Sequence, residues 1–278
     1  SLEITLDGNW TNNGTLAAGN GTITLNGSGV QTITNANGAF NNLTVNKSGG
    51  DAQAAGNFTV DGTLTLTSGD VDLDGKVITL GTSALLAETA GNTVKGATGH
   101  IETTRDLNAP SSDNVAGLGF EITTSVDLGN TEIKRGHAPQ TGNGNTGIAR
   151  YFDVTPTNNS GLNATVAYRY DDSELGGQTE ADLELYKSTD GGSIWSAEGG
   201  TTDGSANTVT QSGIASFSRW TAADQSLAFP ALVADAGADQ EFCEGQSAQI
   251  GGSPTASGGM APYSYSWSPV AGLDDPNA

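Results

Sequence analysis

The chain has 278 residues, 40 of them Gly, and its 31 acidic side chains against 10 basic ones give a formal net charge of −21. A field of that sign repels nucleic acid and anionic lipid, which excludes DNA or RNA binding. With no apolar run of roughly 18 residues, a membrane-spanning helix is excluded as well. The glycines follow no G-X-Y period, so the chain is not collagen-like. Apolar and polar residues alternate throughout, which argues against disorder. The acidic excess is spread out: residues 1–97 carry 8 acids and 3 bases, residues 98–227 carry 17 and 7, and residues 228–278 carry 6 and none.

Residues 1–97 hold an internal repeat. Apolar pairs stand at Ile4/Leu6, Ile23/Leu25, Leu43/Val45 and Leu64/Leu66, separated by 19, 20 and 21 residues. Further pairs fall at Phe58/Val60, Val71/Leu73 and Ile78/Leu80, and Gly/Asn/Asp corners follow most of them. Short strands with such corners, recurring about every 20 residues, predict a parallel β-helix, because one coil cannot bury its apolar row alone. A meander of hairpins is the alternative. Residues 98–227 lose the period. Strands are predicted at 148–154, 164–170, 183–186, 208–209 and 217–221, separated by turn signals such as Asn158-Asn159-Ser160-Gly161 and Asp190-Gly191-Gly192. That spacing predicts an antiparallel β-sandwich. The composition changes again near Ser226–Pro230, and an aromatic alternation follows at Tyr263, Tyr265 and Trp267. Residues 228–278 are too few for a whole seven-stranded sandwich and are expected to be part of an immunoglobulin-like module. The fold class is all-β. With neither signal peptide nor complete last module, the chain is expected to be an excerpt of a longer mature protein.

These segments bear a family resemblance. GNWTNNGTL, GTITLNGSGVQTI, FNNLTVNKSGG and GTLTLTSG resemble the β-helical repeats of giant secreted surface proteins of the Bacteroidota. GHIETTRDLNAP, IKRGHAPQTG, ARYFDVTPTNNSGLNATV, YDDSELGG and SGIASFSRWT resemble the sandwich module that often follows them. The stretch from ADAGADQEFCEGQ to PYSYSWSP is similar to the PKD-like, Ig-type repeats of gliding and attachment adhesins. The resemblance implies a secreted, cell-surface location reached by type IX secretion. It also implies a disulfide between Cys243, the only cysteine, and a residue beyond Ala278.

Candidate chemistry is sparse. Ser188-Thr189-Asp190-Gly191-Gly192-Ser193-Ile194-Trp195 matches the Asp-box pattern S-x-D-x-G-x-x-W, read here as a self-stabilised hairpin tip; a sialidase would need several copies and an arginine cluster. Asp70-Val71-Asp72-Leu73-Asp74-Gly75 starts like a calcium loop but has Gly81 where the bidentate carboxylate belongs. Asp171, Asp172 and Glu174, followed by Glu180, Asp182 and Glu184, are a second acidic group, read more simply as a solvated strand face over 180–185. Asp235 and Asp239 could brace a joint between modules. No cofactor is expected, with calcium at these acids as the alternative. His100 and His137 lack metal-ligand spacing and are expected in loops or at the surface. A β-helix lyase would need a basic residue, and Lys47, Lys76 and Lys95 are isolated in sequence. Thr-x-Thr pairs at 22/24, 32/34, 63/65 and 65/67 could order water, yet their spacing is irregular and strand propensity explains them.

The sequence therefore predicts a non-enzymatic, structural or adhesive segment of a large extracellular protein, a stalk or filament. Its partners would be other subunits or modules of the same fibre, and surface glycans. The alternative is a set of carbohydrate-binding accessory modules of a secreted polysaccharide-degrading enzyme, which would expose Trp10, Trp195, Trp220 or Trp267 in a groove.

Overall fold

The computed structural model describes residues 3–17, 19–142, 145–226, 233–241, 243, 246–248, 250–251, 255–257 and 264–273. Its first part is a parallel β-solenoid of about five turns. The first sheet stacks Glu3–Leu6, Thr22–Leu25, Asn42–Asn46, Thr63–Ser68 and Leu85–Glu88 in that order. Backbone pairing sets Ile4 beside Ile23, Ile23 beside Leu43 and Leu43 beside Leu64, so the separations of 19, 20 and 21 residues are the lengths of successive coils. Leu25, Leu43, Val45, Leu64 and Leu66 are fully buried, each burial worth about 1.5–3 kcal/mol of apolar transfer.

The secondary pairs form the other two sheets. Val71 lies in the second sheet, with Trp10–Thr15, Gln31–Asn37, Ala52–Ala54, Val71–Asp72 and Val94–Lys95. The third sheet begins with Ala39–Phe40, Phe58–Val60 and Val77–Leu80. Trp10, Phe40 and Phe58 fill the interior between these sheets, with successive ring centroids 5.6 Å apart.

The third sheet does not end with the solenoid. The strand His100–Asn108 pairs in parallel with Val77–Leu80 through His100–Thr103, and along its other edge runs antiparallel to Asp127–Gly136. Tyr151–Pro156, Arg219–Asp224, Leu183–Ser188 and Ser196–Gly199 follow, completing a single nine-stranded sheet. The compositional boundary at 97/98 thus falls between the second and third strands of the fifth coil. Facing the antiparallel half is a five-stranded sheet of Asp113–Asn114, Phe120–Thr123, Ala164–Arg169, Thr208–Ile214 and Thr201–Asp203. Phe120, Phe152, Tyr168, Phe217 and Trp220 pack between the two sheets, and one apolar core runs unbroken from Ile23 to Ala222.

All five expected sandwich strands are present with shifted ends; the one read at 217–221 is Arg219–Asp224, and the one at 208–209 extends to Ile214. Six others in the two sheets, His100–Asn108, Asp113–Asn114, Phe120–Thr123, Asp127–Gly136, Ser196–Gly199 and Thr201–Asp203, were not legible. The two long ones carry Thr103, Arg105, Thr131 and Arg135 at core-phase positions, which dilutes the apolar alternation. Of the segment 228–278, the described part holds one two-stranded ribbon, Val233–Ala234 against Ala256–Ser257, and Cys243 is exposed. Tyr263 and residues 227–232 lie outside the described residues.

Candidate functional site at the solenoid–sandwich junction

Where the last coil meets the sandwich, a cleft of about 460 Å³ opens between the strand Leu85–Glu88 with its following turn and the loops of the sandwich. Three of the chain's five arginines, Arg135, Arg150 and Arg169, line it. Glu88 reaches this place by the register of the first sheet. It pairs with Leu66, so the core-facing row of Leu25, Val45 and Leu66 ends in a carboxylate. Arg135 comes to meet it from the strand Asp127–Gly136; its guanidinium is fully enclosed, donates through Nη1 to Glu88 Oε2 at 2.9 Å and to the Leu118 carbonyl at 3.0 Å, and pairs with Glu88 through Nη2 as well. Burial works against the Glu88 carboxylate, but the charge and hydrogen bonds of Arg135, with help from Arg150 and the Val94 N–H, hold its pKa at about 2.

A second buried pair stands behind the first. Arg150 Nε donates to Glu174 Oε1 at 3.0 Å, its Nη1 to the Arg169 carbonyl at 3.0 Å, and its Nη2 reaches Thr93 of the fifth coil at 3.3 Å. Burial opposes the charge on each partner, yet each holds the other ionised: the Arg150 pKa is raised and the Glu174 pKa lowered. His137 links the two pairs. Arg135 Nε donates to its Nε2 at 3.2 Å, so the ring proton sits on Nδ1 and is donated to Glu174 Oε1 at 2.8 Å. Burial, together with the neighbouring Arg135 charge, outweighs Glu174 and lowers the His137 pKa to about 4, which keeps the ring neutral. Tyr168 Oη closes the set on the Arg150 carbonyl at 2.7 Å.

Backbone geometry completes the seal. Gly117 has φ 73°, and a Cβ there would lie 2.1 Å from the Leu86 carbonyl oxygen, so the turn Val115–Gly117 can cover the last coil only with glycine at this position. Asp171 clamps the other side, accepting from the Gly91 N–H of the fifth coil at 2.9 Å and from Ser173 N–H at 3.0 Å. Chemically the junction is two Arg–Glu pairs bridged by an uncharged imidazole, with hydrogen bonds that tie the fifth coil to the sandwich; at its edge the buried Arg169 Nε has no hydrogen-bond partner among the described residues.

Several expectations are corrected by this geometry. His137 does lie in a loop, just past the strand Asp127–Gly136, but it is 5% exposed and central to the network, and the half-buried His100 lies on a strand against Glu102 at 2.9 Å. Glu174, grouped in the sequence with Asp171 and Asp172 as acids of one loop, is buried against Arg150 and His137. Residues 180–182 form a 3-10 turn, so Glu180, Asp182 and Glu184 do not share one strand face; Glu180 instead accepts from Tyr170 Oη at 3.0 Å. Lys47, one of the isolated bases, is buried inside a corner and donates to Gln31 Oε1 at 2.7 Å.

Other candidates stand where the sequence puts them. Val71 and Leu73 are buried while Asp70, Asp72 and Asp74 turn outward, and Asp70 accepts from Thr93 N–H and pairs with Lys95. Asp190 Oδ1 accepts from Ser188 Oγ at 2.7 Å and from the Ser193 and Ile194 N–H groups, with Trp195 buried beneath donating to the Gly192 carbonyl; the tip is also tied to the rest of the sandwich, by Trp195 to the Thr141 carbonyl at 3.3 Å and by Arg219 to the Gly191 carbonyl at 2.7 Å. Asp235, read in the sequence as a brace between modules, accepts instead from Gly237 N–H within its own turn. Among the described residues no three His, Cys, Asp or Glu side chains come together as a metal-binding group. Trp195 and Trp220 are buried and Trp10 and Trp267 half-buried.

The network itself was missed in the sequence, although it left one signal there. Glu88 occupies a core-facing place in a repeat whose other members are Leu6, Leu25, Val45 and Leu66. A charge at such a position calls for a partner from outside the repeat.

The fold thus defines a chain of one class, a parallel β-solenoid joined through a shared sheet to an antiparallel β-sandwich. No protein-family model, no curated protein and no solved structure matches it.

Proposed function

We propose that the chain is a structural and adhesive segment of a large secreted surface protein, acting as a stiff, non-enzymatic stalk whose partners are further modules or subunits of the same fibre. The observation that supports this reading is the nine-stranded sheet shared by solenoid and sandwich. Linked domains usually meet across small, polar interfaces and move relative to one another. Here the backbone ladder crosses the joint, and two Arg–Glu pairs reinforce it. A bend at the joint would have to break main-chain hydrogen bonds. The surface reading also accords with a charge of −21, which keeps a long fibre soluble.

The test is mechanical. The whole chain is tethered by its two ends and extended in single-molecule force spectroscopy. The expected trace shows no extension step before strands of the shared sheet unravel. A low-force step in which solenoid and sandwich part while each stays folded would sink the stalk reading.

A further inference from the structure

The outward face of the first solenoid sheet carries hydroxyls in register. Backbone pairing sets Thr5, Thr24, Thr44 and Thr65 side by side across four successive coils. Thr22 and Thr63 stand two residues earlier on their strands, in a second row with Asn42 between them. These positions alternate with the buried Ile and Leu row, so they point away from the core, and all retain solvent exposure. The Thr-x-Thr pairs are irregularly spaced in the sequence because Thr32/Thr34 lies on the second sheet and the third coil carries Asn42-Leu43-Thr44 in place of a pair; coils that differ in length by a residue still keep the strands of the first sheet aligned.

Past its first strand, where Glu3 stands beside Thr22, this face is free of charge. On the four strands after Glu3–Leu6 its outward positions are Thr, Ser, Asn, Leu and Ala, in a chain of net charge −21. The outward faces of the other two solenoid sheets carry Asp72 with Lys95, and Glu102. A neutral face kept on so acidic a molecule complements an uncharged partner. Aromatic rings, the usual platform for neutral sugars, are missing from it. Hydroxyls repeating across parallel strands are about 4.7–4.9 Å apart. In a tetrahedral water network with O–H···O bonds of about 2.75 Å, second-neighbour oxygens are about 4.5 Å apart. Each threonine is stiff at χ1, so the array is ordered before anything binds.

We infer that this face binds ice, the uncharged lattice whose oxygen spacing the threonine rows approach. The inference is independent of the stalk reading and survives its failure.

The experiment compares the intact chain with Thr44→Lys, at the centre of the array, and with Thr59→Lys, on the outward face of the third sheet. Melting temperature and circular dichroism establish that the variants fold alike. The readouts are inhibition of ice recrystallisation and incorporation into slowly grown ice. The intact chain and Thr59→Lys are expected to be active in both, and Thr44→Lys to lose both. Exclusion of the intact chain from ice, full activity in Thr44→Lys, or equal loss in Thr59→Lys overturns the inference. Retention of the intact chain on microcrystalline cellulose but not in ice also overturns it, and makes the face a polysaccharide platform.

Discussion

Arg135 stands at the end of the strand Asp127–Gly136 and His137 just past it, and what happens to each follows from what faces it. Arg135 is enclosed with the Glu88 carboxylate, and truncating either partner strands the other. Arg135→Met is therefore expected to cost about 3–5 kcal/mol in chemical denaturation, while Arg135→Met with Glu88→Leu recovers most of the loss. The same cluster sets the acid response. Glu88 titrates near 2 when folded and near 4.5 when unfolded, so its stabilisation is fully present above pH 4.5 and is lost as the pH falls towards 2. His137 is neutral when folded down to about pH 4, whereas the unfolded ring takes up its proton below about 6.5. Stability is thus unaffected by His137 above pH 6.5 and declines between 6.5 and 4, by on the order of 3 kcal/mol. His137→Gln keeps one acceptor and one donor in place and is expected to flatten the denaturation midpoint over that interval. An unchanged slope would place the acid response elsewhere.

The strands and corners of the solenoid explain the composition in a way the sequence reading caught only in part. The sequence places Asn and Asp at the corners. Many of them serve another purpose, as their side-chain oxygens accept backbone N–H groups of the neighbouring coil. Asn9 accepts from Thr32, Asn42 from Thr63, Asn57 from Val77 and Asp70 from Thr93, each at 2.9 Å. These bonds satisfy donors that the ladders leave unpaired at the corners. Asn42→Ala is expected to cost about 1 kcal/mol and to speed amide exchange at Thr63 ahead of its neighbours, measured by hydrogen-exchange NMR. The apolar rows were legible because period-two alternation recurred at nearly constant spacing. The junction was not, since its ties join residues far apart in sequence, such as Glu88 with Arg135 and Thr93 with Arg150. Pattern reading registers what repeats, and a contact made once leaves no period. His137 shows the cost: the lack of a metal spacing points to a loop or the surface, and it does lie in a loop, yet buried between an arginine two residues away and a carboxylate 37 residues on.

At the scale of the molecule, the single core and the shared sheet couple the two architectures. Leu66→Ala in the solenoid and Phe152→Ala in the sandwich each remove a fully buried side chain, worth about 2–5 kcal/mol. Both are expected to lower one common thermal transition in calorimetry; two transitions that respond separately would show independent units. The strand His100–Asn108 has a further consequence. Coils upstream of it stack by the same strand pairing, while the ties to the sandwich gather in and next to the fifth coil, from the Gly81 and Ala84 carbonyls that Arg105 bonds to Glu88, Gly91 and Thr93. The solenoid can therefore change in length by whole coils without disturbing its fastening. Excising residues 42–62 joins Asn41 to Thr63 in the same phase, because Asn42 and Thr63 are one coil apart. Such a chain should fold and measure about 4.8 Å shorter by small-angle scattering. The repeat then acts as a ruler with a single fixed end, graduated in coils and read from the antiparallel strand outward.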